Sequence, residues 1–234
     1  MVSFKKMNRM KSNAVFVKYD DLYNEKRTAG ENGWNNSATD LEVLGWIELL
    51  FDISKTSSGK LLEVGCGAGN LSIYLNENLE LTCFDISSIA ISWAKDRFKD
   101  MQKQPQFVVG DIIDMERFPS ASFDYVLDSL CLHFMTGKYR LQALCEINRV
   151  LKSKGLFFVM SMCGNPRNEY LKANFNSTTR CVEFDHIQEC YFGYPQAILG
   201  ELKNANFEIY DYRVINGNEE KNGEEMLLAI AVTK

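Results

Sequence analysis

Short apolar runs alternate with stretches of helical period through the middle of the chain. Residues 60–64, 79–84, 106–109, 123–128 and 155–162 are runs of the length and β-branched or aromatic content that predict strands. Between them, 71–78 continues as a helix. Residues 87–98 predict a second, with Ser87 or Ser88 as its cap and Ile89, Ala90, Trp93, Ala94 and Phe98 along one side. A third spans 136–151, with Tyr139, Leu144, Ile147 and Leu151 in its stripe. Upstream, 19–27 reads as a short helix and 41–53 as an amphipathic one with Leu41, Leu44, Leu50 and Phe51. Downstream, 195–204 is a helix, and 207–215 and 226–233 are strands joined by a Gly-, Asn- and Glu-rich loop. The periodicity breaks over 163–195, which carries Pro166, polar runs and the aromatics Tyr170, Phe175, Phe184, Tyr191, Phe192 and Tyr194.

Strand and helix alternating in this way predict an α/β, doubly wound, seven-stranded sheet, mostly parallel and closed by a C-terminal antiparallel hairpin. Such sheets bind ligands at the carboxyl ends of their strands. No internal repeat or linker interrupts the chain, so residues 1–234 read as one domain. Residues 1–39 then form an N-terminal lid, and 163–195 an insertion suited to covering a substrate.

The strand ends carry the candidate chemistry. The first strand runs into Leu61-Leu62-Glu63-Val64-Gly65-Cys66-Gly67-Ala68-Gly69-Asn70. Alternating glycines let the backbone turn sharply and approach a ligand. The second strand ends in Asp85, placed to accept hydrogen bonds from ribose hydroxyls. The third ends in Asp111 and the fourth in Asp128; Asp111 is positioned to accept from an exocyclic amine such as that of adenine. A dinucleotide fingerprint is Gly-x-Gly-x-x-Gly, but here the third glycine arrives one residue early. Glu63 is also a poor neighbour for a pyrophosphate. It suits a ligand with a positive charge, such as an ammonium, or else it caps backbone donors of the loop.

Bulk properties narrow the classes. The chain has 234 residues, 46% hydrophobic and 24% charged, which is ordinary globular composition. Its net charge of −5 lacks the basic footprint of a nucleic-acid binder. No apolar run approaches the ~18 residues that cross a bilayer. The first eighteen residues carry Lys5, Lys6, Arg9, Lys11 and Lys18, without the apolar core of a signal peptide, and read as a basic arm. Seven cysteines, with no Cys-x-x-Cys, read as reduced thiols of a cytoplasmic protein. Cys83, Cys145 and Cys163 lie in apolar runs and are expected to be buried. Cys131-Leu132-His133 has the wrong spacing for zinc, and no metal is expected.

Taken together these segments resemble class I S-adenosylmethionine-dependent methyltransferases. Leu-Glu-Val-Gly-Cys-Gly-Ala-Gly-Asn looks like their first motif. Asp85 in Cys-Phe-Asp-Ile-Ser is similar to their ribose-binding acid, and Val109-Gly110-Asp111-Ile112 resembles their adenine-binding segment. The segment 123–128 resembles their strand-four motif. Residues 149–155, Arg-Val-Leu-Lys-Ser-Lys-Gly, are similar to their Arg-Val-Leu-Lys-Pro-Gly-Gly turn, with Ser153 and Lys154 replacing Pro-Gly. The likeness covers roughly residues 40–160. A looser one links Tyr19-Asp20, Tyr23 and Gly30-Glu31-Asn32-Gly33-Trp34 to the leader of thiopurine- and thiol-type methyltransferases, where the Trp covers the cofactor's methionine end.

The resemblance implies a Rossmann-like fold, S-adenosylmethionine as cofactor and S-adenosylhomocysteine as product. It implies cofactor contacts from Glu63, Gly65, Cys66, Gly67, Gly69, Asp85, Ile86, Asp111, Ile112, Asp128, Ser129, Trp34 and Tyr23. The reaction needs a nucleophile held in line with the methyl–sulfur bond, water excluded, and for some acceptors a base. His133, just past strand four, is the candidate base or substrate-positioning group; packing is its other reading. Asp128 is read as orienting its loop or touching the cofactor. No Asn/Asp-Pro-Pro-Tyr segment follows strand four and no Pro-Cys pair exists, so a small-molecule acceptor at O, N or S is expected rather than a nucleic acid, in a monomer or homodimer. The alternatives are an NAD-dependent oxidoreductase and a non-catalytic cofactor-binding interaction protein.

Overall fold

A computed structural model describes residues 18–33, 58–75, 79–184, 188–216 and 223–234, together with the isolated positions 45 and 48. The expected helix over 41–53 lies outside the described residues apart from those two positions, which are helical. The chain forms two compact units, Met1–Ile112 and Ile113–Lys234.

Seven strands make one sheet in the order β3-β2-β1-β4-β5-β10-β9. In the first unit, a helix over residues 18–28 (α1) precedes β1 (Gly59–Val64) and β2 (Leu79–Asp85). Helix α2 (Ser88–Phe98) and β3 (Gln106–Val109) follow. β1 pairs parallel with β2, and β2 with β3, in a register that sets Val64 opposite Phe84 and Asp85 opposite Val109. Leu61, Leu62 and Val64 are all buried, because a parallel strand is covered on both faces. The α2 start is as expected: Ser87 is the N-cap, its Oγ accepting from the Ala90 N–H at 3.1 Å.

One element departs from expectation. After the glycines the chain forms a three-residue 3-10 turn, Ser72–Tyr74, rather than a helix over 71–78; residues 76–78 lie outside the described ones. Three glycines at positive φ and a serine bonded inward leave no continuous i to i+4 ladder to start one.

In the second unit, β4 (Phe123–Ser129) leads through a 3-10 turn (Leu132–Phe134) to α3 (Gly137–Val150) and β5 (Leu151–Met162). β4 pairs parallel with β5. The region 163–195, read as irregular, holds a short helix α4 (Glu169–Ala173) and a separate sheet of β6 (Phe175–Asn176), β7 (Cys181–Phe184) and β8 (Gln188–Tyr191), all antiparallel. Val182, Cys190 and Phe192 form its buried core, packed by Phe134, Met162, Leu171 and Phe175. Then α5 (Pro195–Asn204), β9 (Phe207–Ile215) and β10 (Met226–Thr233) complete the chain. β10 runs antiparallel to both β5 and β9 and lies between them. That explains its unbroken apolar run, Leu227 to Ala231, all buried, against the mostly exposed β9 at the sheet edge.

Candidate active site

The first unit gathers the glycines and two acids. Gly65, Gly67 and Gly69 take φ of 67°, 55° and 75°, a region that disfavours side chains. The Gly65 and Cys66 N–H groups donate to the Phe84 carbonyl at 2.7 and 3.1 Å, fixing the loop to the end of β2. A Cβ on Gly67 would lie 2.6 Å from Tyr23 Oη, and one on Gly69 3.0 Å from the Phe98 ring. Tyr23, buried on α1, therefore rests its hydroxyl against the glycine loop.

Asp85 closes β2. Its Oδ2 accepts from the Gly67 N–H and its Oδ1 from the Ser87 N–H, each at 2.8 Å. The Ile86 N–H also donates to this carboxylate; with about four acceptor directions on two oxygens, it keeps capacity for a further donor. The Gly110 N–H donates to the Asp85 carbonyl at 2.9 Å, which sets half-buried Asp111 and buried Ile112 directly after β3 and beside the end of β2. Ile86 is half-buried and Cys66 buried, its thiol pushed well up by burial and held towards the Gly67 carbonyl. A thiol in that state is a small apolar filler rather than a nucleophile.

Glu63 is 1% exposed, and its Oε2 accepts from the Ser72 hydroxyl. Cys83 Sγ approaches the same hydroxyl at 3.4 Å. Burial pushes the Glu63 carboxyl up to about 7 and Asp85 up to about 6; the Asp85 charge adds to the first. No cation pairs with Glu63 among the described residues. A buried acid with one hydroxyl partner is costly unless a positive group arrives to match it. Of the two readings for Glu63, capping the loop backbone is not what it does here.

Residues 18–33 fasten to this unit at several points. Asp20 accepts from Ser87 Oγ at 2.6 Å, Ser88 Oγ at 2.9 Å and the Ile89 N–H at 3.1 Å. Arg27 meets Asp96 at 2.5 Å. Asn70 Nδ2 and Arg97 Nη2 both donate to the Asn32 carbonyl, at 2.7 and 3.1 Å. Trp34 lies outside the described residues.

In the second unit, Asp128 is fully buried and accepts from the Cys131 N–H at 2.7 Å and the Leu132 N–H at 3.2 Å. Burial pushes its carboxyl up to about 7. Ser129 is half-buried, and the Leu130 N–H donates to the Met160 carbonyl at 3.2 Å with Leu130 at φ 65°. The turn so formed presents His133, 1% exposed, its ring 3.9 Å from the Phe134 ring. His133 Nδ1 has no hydrogen-bond partner among the described residues. Burial first, then the Arg140 charge, lower its pKa to about 3, which favours the neutral imidazole.

Several side chains escaped sequence reasoning. Ser72, which engages Glu63, sits in no motif. Asp20 belongs to the Tyr-Asp pair of the leader, but its role as a second cap of α2 shows only in three dimensions. Arg140 and Glu201, an ion pair at 2.6 Å, are 61 residues apart in the chain. Of the aromatics over 163–195, Phe192 is buried in the small sheet's core, while Tyr170 and Tyr194 are exposed. The Arg180 guanidinium lies 4.8 Å from the Phe175 ring and 4.0 Å from the Tyr194 ring. All seven cysteines are free; Cys163 is buried as expected, but Cys145 is exposed, on the outer side of α3. Among the described residues no three His, Cys, Asp or Glu side chains converge as metal ligands, and no helix is long and apolar enough to cross a membrane.

Comparison with known proteins agrees with this geometry. A family model described as "Methyltransferase domain" matches residues 62–159. Malonyl-[acyl-carrier protein] O-methyltransferase of Paenibacillus sp. (strain JDR-2) is 29% identical over 106 residues, which are 43% of this chain and 38% of that one. The chain thus spans about two fifths of that relative's length. Among solved structures, 1,6-didemethyltoxoflavin-N1-methyltransferase of Burkholderia thailandensis superposes with a TM-score of 0.71 at 17% identity, covering 95% of this chain and 89% of that one. That structure holds 1,6-didemethyltoxoflavin and S-adenosylhomocysteine. The [4+2]-cyclase SpnF has the same fold, with a TM-score of 0.71 at 17% identity over 95% of this chain and 96% of that one. Strand order, glycine loop and family match converge on a methyltransferase domain over residues 62–159, set in a Rossmann-like sheet.

Proposed function

We propose that this protein transfers the methyl group of S-adenosylmethionine to an O, N or S atom of a small molecule. The observation that carries this reading is Glu63, a buried carboxyl with no cation beside it among the described residues, two residues before a loop whose three glycines take positive φ. In this reading Glu63 takes the ammonium of the cofactor's methionine part. The backbone of Gly65 to Gly69 lies along that part. Asp85 accepts from the ribose hydroxyls through its remaining acceptor capacity. Asp111 accepts from the adenine amine, with Ile86 and Ile112 as apolar neighbours of the base. Cys66 fills the loop, and Tyr23 and Trp34 offer aromatic faces to positive charge, an attraction of about 0.5–2 kcal/mol. Asp128 orients the turn after β4 and, with Ser129, lines the cofactor's side of it.

The cofactor, when bound, supplies an electrophilic methyl on a positive sulfur. The chain's own residues hold, orient and exclude water. His133 hydrogen-bonds the acceptor through Nδ1 as a neutral imidazole and fixes its orientation. Residues 1–39 act as the lid and 163–195 as the substrate cover of one catalytic domain. The acidic net charge favours a small acceptor over nucleic acid.

Isothermal titration with S-adenosylhomocysteine and with NAD tests the cofactor; micromolar binding of NAD and none of the homocysteine compound sinks the reading. Tritium transfer from labelled S-adenosylmethionine to a panel of small nucleophiles tests the reaction. Tight homocysteine-compound binding with no labelled product from any acceptor would move the protein to the non-methylating class. His133→Ala is expected to keep cofactor binding within about threefold and lower turnover about 10²-fold, the scale of one lost catalytic contact.

A further inference from the structure

The turn that carries His133 is held from outside the motif that predicts it. Arg140, in the first turn of α3, is 5% exposed. Its Nη1 donates to the Leu132 carbonyl at 2.5 Å and its Nε to Glu201 Oε2 on α5 at 2.6 Å. Its guanidinium lies 4.9 Å from the ring of Tyr191 on β8. The Tyr191 hydroxyl hydrogen-bonds the same Glu201 carboxylate and, with burial as the larger cause, its pKa is raised. Phe134, the residue after His133, packs into the core of the small sheet with Val182, Cys190 and Phe192.

Each of these holds has a different anchor. Asp128 takes the N–H groups at the start of the turn, Arg140 takes a carbonyl in the middle, and Phe134 plugs its end. Arg140 joins the turn at once to α3, α5 and β8. A guanidinium does this because its planar fork serves two acceptors while its face rests on a ring; an ammonium has no such geometry. A surface ion pair would contribute little, but this arginine is buried and hydrogen-bonded to a main-chain carbonyl. Its charge also acts on Asp128, drawing that carboxyl down against the larger upward push of burial.

We propose that Arg140 is a positioning residue for acceptor methylation, tying β8 of the 163–195 region to the turn and so fixing the His133 imidazole. This rests on His133 contacting the acceptor, and it adds which residue makes that contact possible. The groups facing His133 from the packed elements are Asp128 at the end of β4 and Arg140 on α3, with Glu201 and Tyr191 one bond further out. A docked cover keeps Tyr191 and Glu201 in place, and they keep Arg140 on the Leu132 carbonyl. Acceptor binding and the order of the cover are coupled through this one side chain.

The test is carbon-proton NMR of the histidine Cε1 groups in the full chain without ligand. There are two histidines, and His133→Gln assigns the signals by loss. The wild-type His133 signal is expected to be single at pH 8. Arg140→Met is expected to shift and broaden it and to raise amide exchange at residues 131–134 more than tenfold. Arg140→Lys, which keeps charge without the fork, should restore less than half of the shift. If Arg140→Met does not fold, Glu201→Gln should displace the signal in the same direction by a smaller amount. A folded Arg140→Met, or in its absence Glu201→Gln, with wild-type His133 signal and wild-type exchange would reduce Arg140 to a strut and overturn the proposal. These readouts need no acceptor, so they stand apart from the outcome of the methyl-transfer assay. With an acceptor in hand, Arg140→Met should lower kcat at least tenfold while S-adenosylhomocysteine binding stays within twofold.

Discussion

Two strands of this protein end in an aspartate that collects backbone N–H groups, and the two aspartates serve different ends. Asp85, at the end of β2, takes an N–H from Gly67 in the glycine loop and others from Ile86 and Ser87 after the strand, with acceptor capacity to spare. Asp128, at the end of β4, is fully buried and takes its N–H groups from a single turn, Cys131 and Leu132. The first brings together segments that flank a ligand loop. The second builds a turn that aims a side chain. The residue type and its place at a strand end are the same; what differs is whether the donors come from two segments or one. A motif names the aspartate, and the partners decide its work.

The largest expected effect breaks the first region. Gly67→Val puts a side chain where Tyr23 Oη stands 2.6 Å away, on a backbone at φ 55°. The mutant should lose at least 100-fold in S-adenosylhomocysteine affinity by titration calorimetry and lower Tm by several degrees, since a left-handed β-branched residue costs about 1–2 kcal/mol before any clash.

The second region breaks through stability instead. Asp128→Ala strands two N–H groups, worth about 1–3 kcal/mol for each that stays buried, and should lower Tm by about 4–24 °C in a chain of this size. If Tm holds within 1 °C, the turn does not depend on this carboxylate.

Glu63→Gln sharpens the comparison by removing a charge while keeping shape. The Glu63 carboxyl titrates at about 7 in the fold against an ordinary 4.5. The folded protein therefore binds the proton more tightly, and stability falls as pH rises from about 4.5 through about 7, then levels. Asp85 and Asp128, raised to about 6 and about 7, slope the same way. His133, depressed to about 3, slopes oppositely: its contribution is present above about 6.5 and lost as pH falls towards 3. Comparing Tm of mutant and wild type without ligand isolates the Glu63 part. Glu63→Gln should gain about 1–2 kcal/mol relative to wild type between pH 5 and pH 8, yet bind S-adenosylhomocysteine about tenfold more weakly. Equal pH slopes would mean that Glu63 is solvated in solution.

The smallest effect lies away from both regions. Lys154 sits at φ 61°, where the resembled turn carries glycine. Lys154→Gly should raise stability by about 1 kcal/mol, or 2–4 °C, measured by thermal melting.

Much of this was legible in the order of residues. Four elements have the expected bounds to the residue: Gln106–Val109, Pro195–Asn204, Phe207–Ile215 and Met226–Thr233. Pro195 at a helix start and continuous apolar strand runs are local signals, and local signals survive folding. The 71–78 helix failed because Ser72 turned inwards to Glu63, a pairing that no periodicity carries. The small sheet of β6 to β8 was missed because its strands run only two to four residues, too short to show a period. Cys145 was misjudged because apolar neighbours in sequence do not fix which side of a helix a residue takes.

By itself, then, the chain order determined the sheet, its glycine turn and the acids closing its strands, since each follows from steric freedom or apolar pattern within a few residues. Only the tertiary structure decided what those acids do. Hydrogen-bond partners such as Ser72 for Glu63, Ser87 for Asp85 and the Arg140–Glu201 pair behind His133 are 2 to 61 residues from their mates. Burial, which pushes the Glu63 and Asp128 carboxyls up and the His133 imidazole down, is a property of the packed protein and of no residue alone.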